Sequence, residues 1–144
     1  MAMSADIKMQ IEAVKNPSKV RVMDYGEVVL LVDGHKGPYI KKEMAMIDLS
    51  KVNQVKAAEE FDPNNTKLLK IKRTNHLLIC KSGRIACRFD TDEGEHIWAR
   101  NDWIREYKNA MSYVTIENKT AVIPIGITGE PLGVVLCMRI NDET

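Results

Sequence analysis

The chain has 144 residues, with 21 Lys and Arg against 20 Asp and Glu and a formal net charge of +1. Its 44% hydrophobic and 28% charged residues suit a single globular domain, 1–144, long enough to bury a core without disulfides or metal staples. The same figures argue against a disordered, collagenous or membrane-spanning chain, and the balanced charge argues against coating nucleic acid by bulk electrostatics.

The N-terminus, Met1 to Asp6, has no basic cluster followed by an apolar run, so no secretory signal is read and a cytoplasmic location is expected. Residues 4–15 then form an amphipathic helix, with Ser4 as cap and Ile7, Ile11 and Val14 at helical spacing. Pro17 ends it by biasing Asn16 out of the helical region. Residues 20–24 and 27–33 read as Val- and Leu-rich strands joined at Tyr25-Gly26. Asp33-Gly34-His35-Lys36-Gly37 is a turn, and a third strand starts near Tyr39. Residues 42–51 are open between strand and helix. Residues 52–61 read as helical, and Asp62-Pro63-Asn64-Asn65 as a loop. Strands follow at 67–73, 76–81 and 84–90, with a two-residue turn at Ser82-Gly83, and then a short strand at 95–100. Asn101 or Asp102 caps a helix to about Met111, and strands near 113–117, 121–127 and 133–140 close the chain. The expected fold class is therefore α+β: β-rich, mostly antiparallel, with two or three short helices.

A shift of 57 residues aligns 20–51 with 77–108 without a gap, matching Gly26 with Gly83, Asp33 with Asp90 and Gly37 with Gly94. The two segments read as an internal duplication, with units 20–61 and 77–112 and a strand-rich tail at 113–140; the alternative is coincidence between two hairpins with similar turns.

Residues 67–88 carry Lys67, Lys70, Lys72, Arg73, Lys81, Arg84 and Arg88 and no carboxylate. A two-residue turn would place Leu78, Cys80, Ile85 and Cys87 on a core face and leave Lys81, Arg84 and Arg88 on the other. Lys70, Lys72, Arg73, Lys81, Arg84 and Arg88 are thus candidates for binding phosphate or nucleic acid. No aromatic residue lies between 62 and 88 to stack bases, and lysines also solubilise strand faces. Asp90-Thr91-Asp92 begins like a calcium loop, but Gly94 falls where an oxygen-bearing side chain is needed and Asn101 where a carboxylate is needed, so calcium is rejected.

His35, His76 and His96 lie at no metal-ligand spacing from Cys or carboxylate, so no metal and no cofactor is expected. Cys80, Cys87 and Cys137 are an odd number in no tight motif and read as reduced thiols, the first two filling core space. No phosphate-binding glycine loop or nucleophile elbow occurs, and the His35 turn is the sole catalytic candidate, so the chain leans away from enzymes. Trp98, Trp103 and Tyr107 are either core or interface anchors.

Residues 122–136, VIPIGITGEPLGVVL, resemble the closing hairpin of GAF-type ligand-sensing domains over about 15 of 144 residues. That resemblance implies a small-molecule sensor with an apolar pocket between helix and sheet. Pro124 cannot donate to a ladder, so a bulge or an edge is expected there, and 132–138 read as a strand buried on both faces. The leading functional expectation is a non-catalytic binding or regulatory protein of accessory or inhibitor type. It would act through protein–protein contacts and as a homo-oligomer, with nucleic-acid binding through 67–88 and GAF-like sensing as alternatives.

Overall fold

Helix α1 (Ala5–Lys15) starts after Ser4 and ends at Asn16. The computed structural model describes residues 4–140, so the reading of the first three residues lies outside the described residues. The packed face of α1 is Ala5, Met9, Gln10 and Ala13, not Ile7, Ile11 and Val14. Two alanines let the helix lie close on a sheet, where Met9 and Ala13 meet Val20, Val22, Val29, Leu31 and Ile40. Gln10 tolerates burial because its Oε1 accepts the Met46 backbone N–H at 2.7 Å.

That sheet is a meander of β1 (Arg21–Asp24), β2 (Val28–Val32) and β3 (Lys36–Lys41), with β4 (Asn53–Val55) added parallel to β1. Residues 42–51 resolve into two single 3-10 turns, Lys42–Met44 and Leu49–Lys51. The helix expected over 52–61 does not form. Val52 alone is buried there, and the free edge of β1 takes residues 53–55 as a strand before a 3-10 turn at Glu59–Phe61. So short a segment has too little packed face to repay helix nucleation.

The second half contains β5 (Leu69–Ile79), β6 (Ile85–Thr91), β7 (His96–Arg100), α2 (Asn101–Ile104), β8 (Ser112–Thr115), β9 (Ala121–Ile125) and β10 (Gly133–Met138). The helix expected over 101–111 shrinks to the single turn of α2. Two tighter turns follow, the Tyr107 N–H donating to the Ile104 carbonyl and the Ala110 N–H to the Tyr107 carbonyl. This three-residue step carries both Ile104 and Tyr107 into the core.

The pairings β5–β6, β6–β7, β7–β10, β10–β9, β9–β8 and β8–β5 close a circuit of six antiparallel strands. Inside it lie Ile71, Cys87, Phe89, Ile97, Ala99, Val122 and Val135. β10 also pairs with β3, so it joins the closed circuit to the first meander. Leu30, with Met23, Val32 and Tyr39, covers the outer side of β8–β10 at Ile123 and Val134. Val134 and Val135 are therefore buried on opposite faces, as their apolar run foretold. Opposite Pro124 the β9–β10 register slips by one residue, from Val122–Val135 to Ile125–Pro131, which is the expected bulge. The fold is α+β with a mostly antiparallel sheet.

Both β1–β3 and β5–β7 are antiparallel meanders whose third strand meets β10. The gap-free offset does not extend through their turns. Val29 pairs with Asp24, five residues away, whereas Ala86 pairs with Leu78, eight away. Gly94 sits in a turn at φ +83°, whereas Gly37 lies within β3, where a Cβ would fall 1.6 Å from the Leu31 carbonyl oxygen. Gly37 thus lets β3 leave β2 and cross to β10.

Candidate functional site

The turn between β5 and β6 decides which side chains share a face. It contains three residues, Lys81-Ser82-Gly83, not two. The Cys80 N–H donates to the Arg84 carbonyl and the Gly83 N–H to the Cys80 carbonyl, both at 2.9 Å, and Gly83 has φ +86°. A turn followed by a left-handed residue is a common three-residue hairpin loop. Ile79 therefore opposes Ile85, where a two-residue turn would have set Cys80 there. A one-residue slip exchanges faces. The expected core face of Leu78, Cys80, Ile85 and Cys87 is corrected accordingly. Leu78, Cys80 and Ala86 share the outer face with Arg84 and Arg88. Leu77, Ile79 and Ile85 continue the inner row of Cys87 and Phe89.

That inner row runs past the end of the closed circuit. β8 covers β5 only along Leu69–Ile71, and β7 reaches no further along β6 than Ala86. Leu77, Ile79 and Ile85 are left 57%, 71% and 41% exposed, while Cys87 and Phe89 are fully buried. A second register change lies between Arg73 and Leu77.

The basic residues divide between faces. Lys70, Lys72, Arg84 and Arg88 stand on the outer side, Arg73 on the inner side, and Lys81 in the tip turn. Arg73 is engaged, its Nη2 donating to Asn101 Oδ1 at 2.9 Å. Arg88 Nε lies 3.0 Å from Asp90 Oδ1 without alignment for a hydrogen bond, and its Nη2 donates to Asp90 Oδ2 at 3.2 Å. Asp90 also meets His96 Nδ1 at 2.7 Å. Desolvation opposes ionisation of Asp90, but the His96 and Arg88 bonds outweigh it and hold the carboxyl below its ordinary range. Lys70, Lys72 and Arg84 are the exposed outer cations of the set.

The aromatic residues also separate. Trp98 is the cross-strand neighbour of Arg88 and joins the outer face, supplying from β7 the aromatic that residues 62–88 lack. Trp103 stacks on His35 at 5.8 Å and lies under the Arg100 guanidinium at 4.6 Å. The neighbouring Lys36 pairs with Glu106 at 2.5 Å. The His35 turn and Trp103 thus clamp the first meander to the second half. Tyr107 is buried against Gly133, where an added Cβ would fall 2.3 Å from its hydroxyl.

All three cysteines are free thiols. Burial raises the Cys87 thiol and pushes that of Cys137 up to about 12, so both are protonated at neutral pH. A cleft of about 290 Å³ beside Tyr39, Tyr107 and Leu132 and an open depression of about 540 Å³ beside Glu59, Glu60 and Lys67 mark the surface. Among the described residues, no cluster of three or more His, Cys, Asp or Glu is placed to hold a metal, and no helix is long and apolar enough to cross a membrane.

The exposed apolar row of Leu77, Ile79 and Ile85 was hidden from sequence reasoning by the turn length. The signal was Gly83 itself, which suits the last place of a three-residue turn. Comparison with protein-family models, with curated proteins and with solved structures returns no match.

Proposed function

We propose that this chain is a non-catalytic binding protein of accessory or regulatory type, docking a protein partner through the tip of the β5–β6 hairpin. The observation that carries the reading is the row Leu77, Ile79 and Ile85, exposed side by side where no other element among the described residues covers them. Apolar residues grouped at a projecting tip favour association, since burying them on contact releases ordered water. The test is co-purification from the native cell, comparing the unaltered chain with the Leu77→Thr/Ile79→Thr double variant. Specific partners should be lost from the variant. An unchanged partner set, with the variant folded, refutes the reading.

A second reading is favoured by Trp98, which shares the outer face with Lys70, Lys72, Arg84 and Arg88. One aromatic among exposed cations is the minimum of a single-strand platform. With Arg88 held by Asp90, three cations remain. Affinity for an oligonucleotide should then fall with salt at a log–log slope of about −2, from roughly −0.7 per phosphate. No binding at low salt rejects this reading.

A further inference from the structure

The hairpin tip proposed to dock a partner also has an open backbone edge. Taking that docking role as its premise, we infer that the free edge of β5, along residues 73–79, accepts an added strand: an extended, acidic segment of a partner protein. The Cys80 N–H points to β6, where the Arg84 carbonyl accepts it. Strand residues alternate sides, so the backbone groups of Leu78 also face β6 and those of Leu77 and Ile79 face away. On the side of β5 away from β6, no described strand pairs with it beyond Ile71, and Arg73, Asn75, His76, Leu77 and Ile79 are all exposed. An exposed edge of unpaired N–H and C=O groups is a template for strand addition, with alternate side chains setting specificity.

Edges that must stay unpaired are blunted by charge, proline or bulges. β5 follows that rule as far as its irregularity, with Lys70, Lys72 and Arg73, and then abandons it. Leu77-Leu78-Ile79 sets three apolar residues in a row on the open edge. The inner-face side chains Leu77, Ile79 and Ile85 would receive alternate apolar residues of the incoming strand.

Charge selects the occupant. β5 has Lys70, Lys72, Arg73 and His76 and no carboxylate, and the tip adds Lys81 and Arg84. Asp90, the carboxylate on the neighbouring stretch of β6, is already shared by Arg88 and His96. Pairing two copies of β5 would bring two cationic strands together, and like charges across strands are destabilising. Acidic residues alternating with β-branched apolar ones satisfy both the cations and the apolar row.

The experiment is amide hydrogen exchange on the full chain, with a synthetic peptide of alternating glutamate and valine as probe. Controls are the same peptide with lysine for glutamate and a twelve-nucleotide oligouridylate. At saturation the Leu77 and Ile79 amides should slow by about tenfold or more, while the Leu78 amide, already facing β6, changes little. Ile79→Pro removes an outward donor without breaking the β6 ladder and should abolish peptide binding. Ile79→Thr, which keeps that donor, should weaken it less. Peptide binding without protection of these amides overturns the proposal. So does equal protection by the lysine peptide, protection by the oligouridylate alone, or protection in a dimer of the free chain. Should Ile79→Pro not fold, the exchange pattern of the unaltered chain decides. If strand addition fails while co-purification still depends on Leu77 and Ile79, docking through side chains stands; if both fail, the docking reading falls with it.

Discussion

Replacing Ile79 by threonine separates a docking residue from a structural one. Ile79 and Phe89 belong to the same inner row of one hairpin, yet Ile79 is 71% exposed and Phe89 fully buried. Fully burying an isoleucine side chain is worth about 1.5–3 kcal/mol, so the remaining three-tenths of Ile79 contributes roughly 0.4–0.9 kcal/mol. Threonine keeps the β-branch, and strand preference changes little. Phe89→Ala instead removes a ring packed edge-on against Tyr113 at 5.0 Å between centroids. It should cost about 3–5 kcal/mol, the range for a large buried side chain. At roughly 3 °C per kcal/mol for a domain of this size, the melting point should drop by about 1–3 °C for Ile79→Thr and about 9–15 °C for Phe89→Ala. Calorimetry of both variants, with circular dichroism to confirm the fold, measures the contrast. A loss for Ile79→Thr as large as that for Phe89→Ala would mean that the tip row holds the fold together, and the docking reading would lose its basis.

Three further outcomes test the fold around the site. Gly37→Ala drives a methyl group into the Leu31 carbonyl and should cost about 3 kcal/mol or more, whereas Gly26→Ala, at φ +97° with nothing within 4 Å, should cost about 1 kcal/mol. Equal losses on chemical denaturation would refute the crossing assigned to Gly37. Lys36 and Glu106 pair at 2.5 Å with side chains only 18% and 14% exposed, so removing either partner alone should cost about 3 kcal/mol. In a double-mutant cycle of Lys36→Met with Glu106→Gln, the two losses should be far from additive; simple additivity would show the pair to be uncoupled. Because folding lowers the Asp90 carboxyl below 3.8, its bonds stabilise the folded state above that pH, and the contribution disappears as the pH falls below it. The melting-point difference between the unaltered chain and Asp90→Asn should therefore be present near neutrality and vanish in acid. A difference independent of pH would contradict this linkage.

Much of the local structure was legible in residue order. Pro17 stopped α1, the glycine turns marked the strand ends, and the apolar run at 132–138 announced a strand buried on both faces. Pro124 announced the slipped register between β9 and β10, because a missing donor needs a break in the ladder. These are consequences of φ limits, hydrogen-bond donors and side-chain period, all carried by a few adjacent residues.

The candidate site needed more than that. Its faces depend on whether the turn before Arg84 holds two or three residues, because that decides whether Leu77 and Ile79 or Leu78 and Cys80 share the face of Cys87 and Phe89. Nor could residue order say that β8 stops at Ile71, leaving the β5 edge open, or that Trp98 joins Arg88 from another strand. Residues 52–61 make the same point from the opposite side: in a segment read as helical, residues 53–55 became a strand on the free edge of β1. The chain by itself determined an α+β protein rich in antiparallel strands, with seven cations in residues 67–88. Tertiary pairing alone decided which of those cations share a face and which apolar side chains meet the solvent, since both depend on strand neighbours distant in sequence.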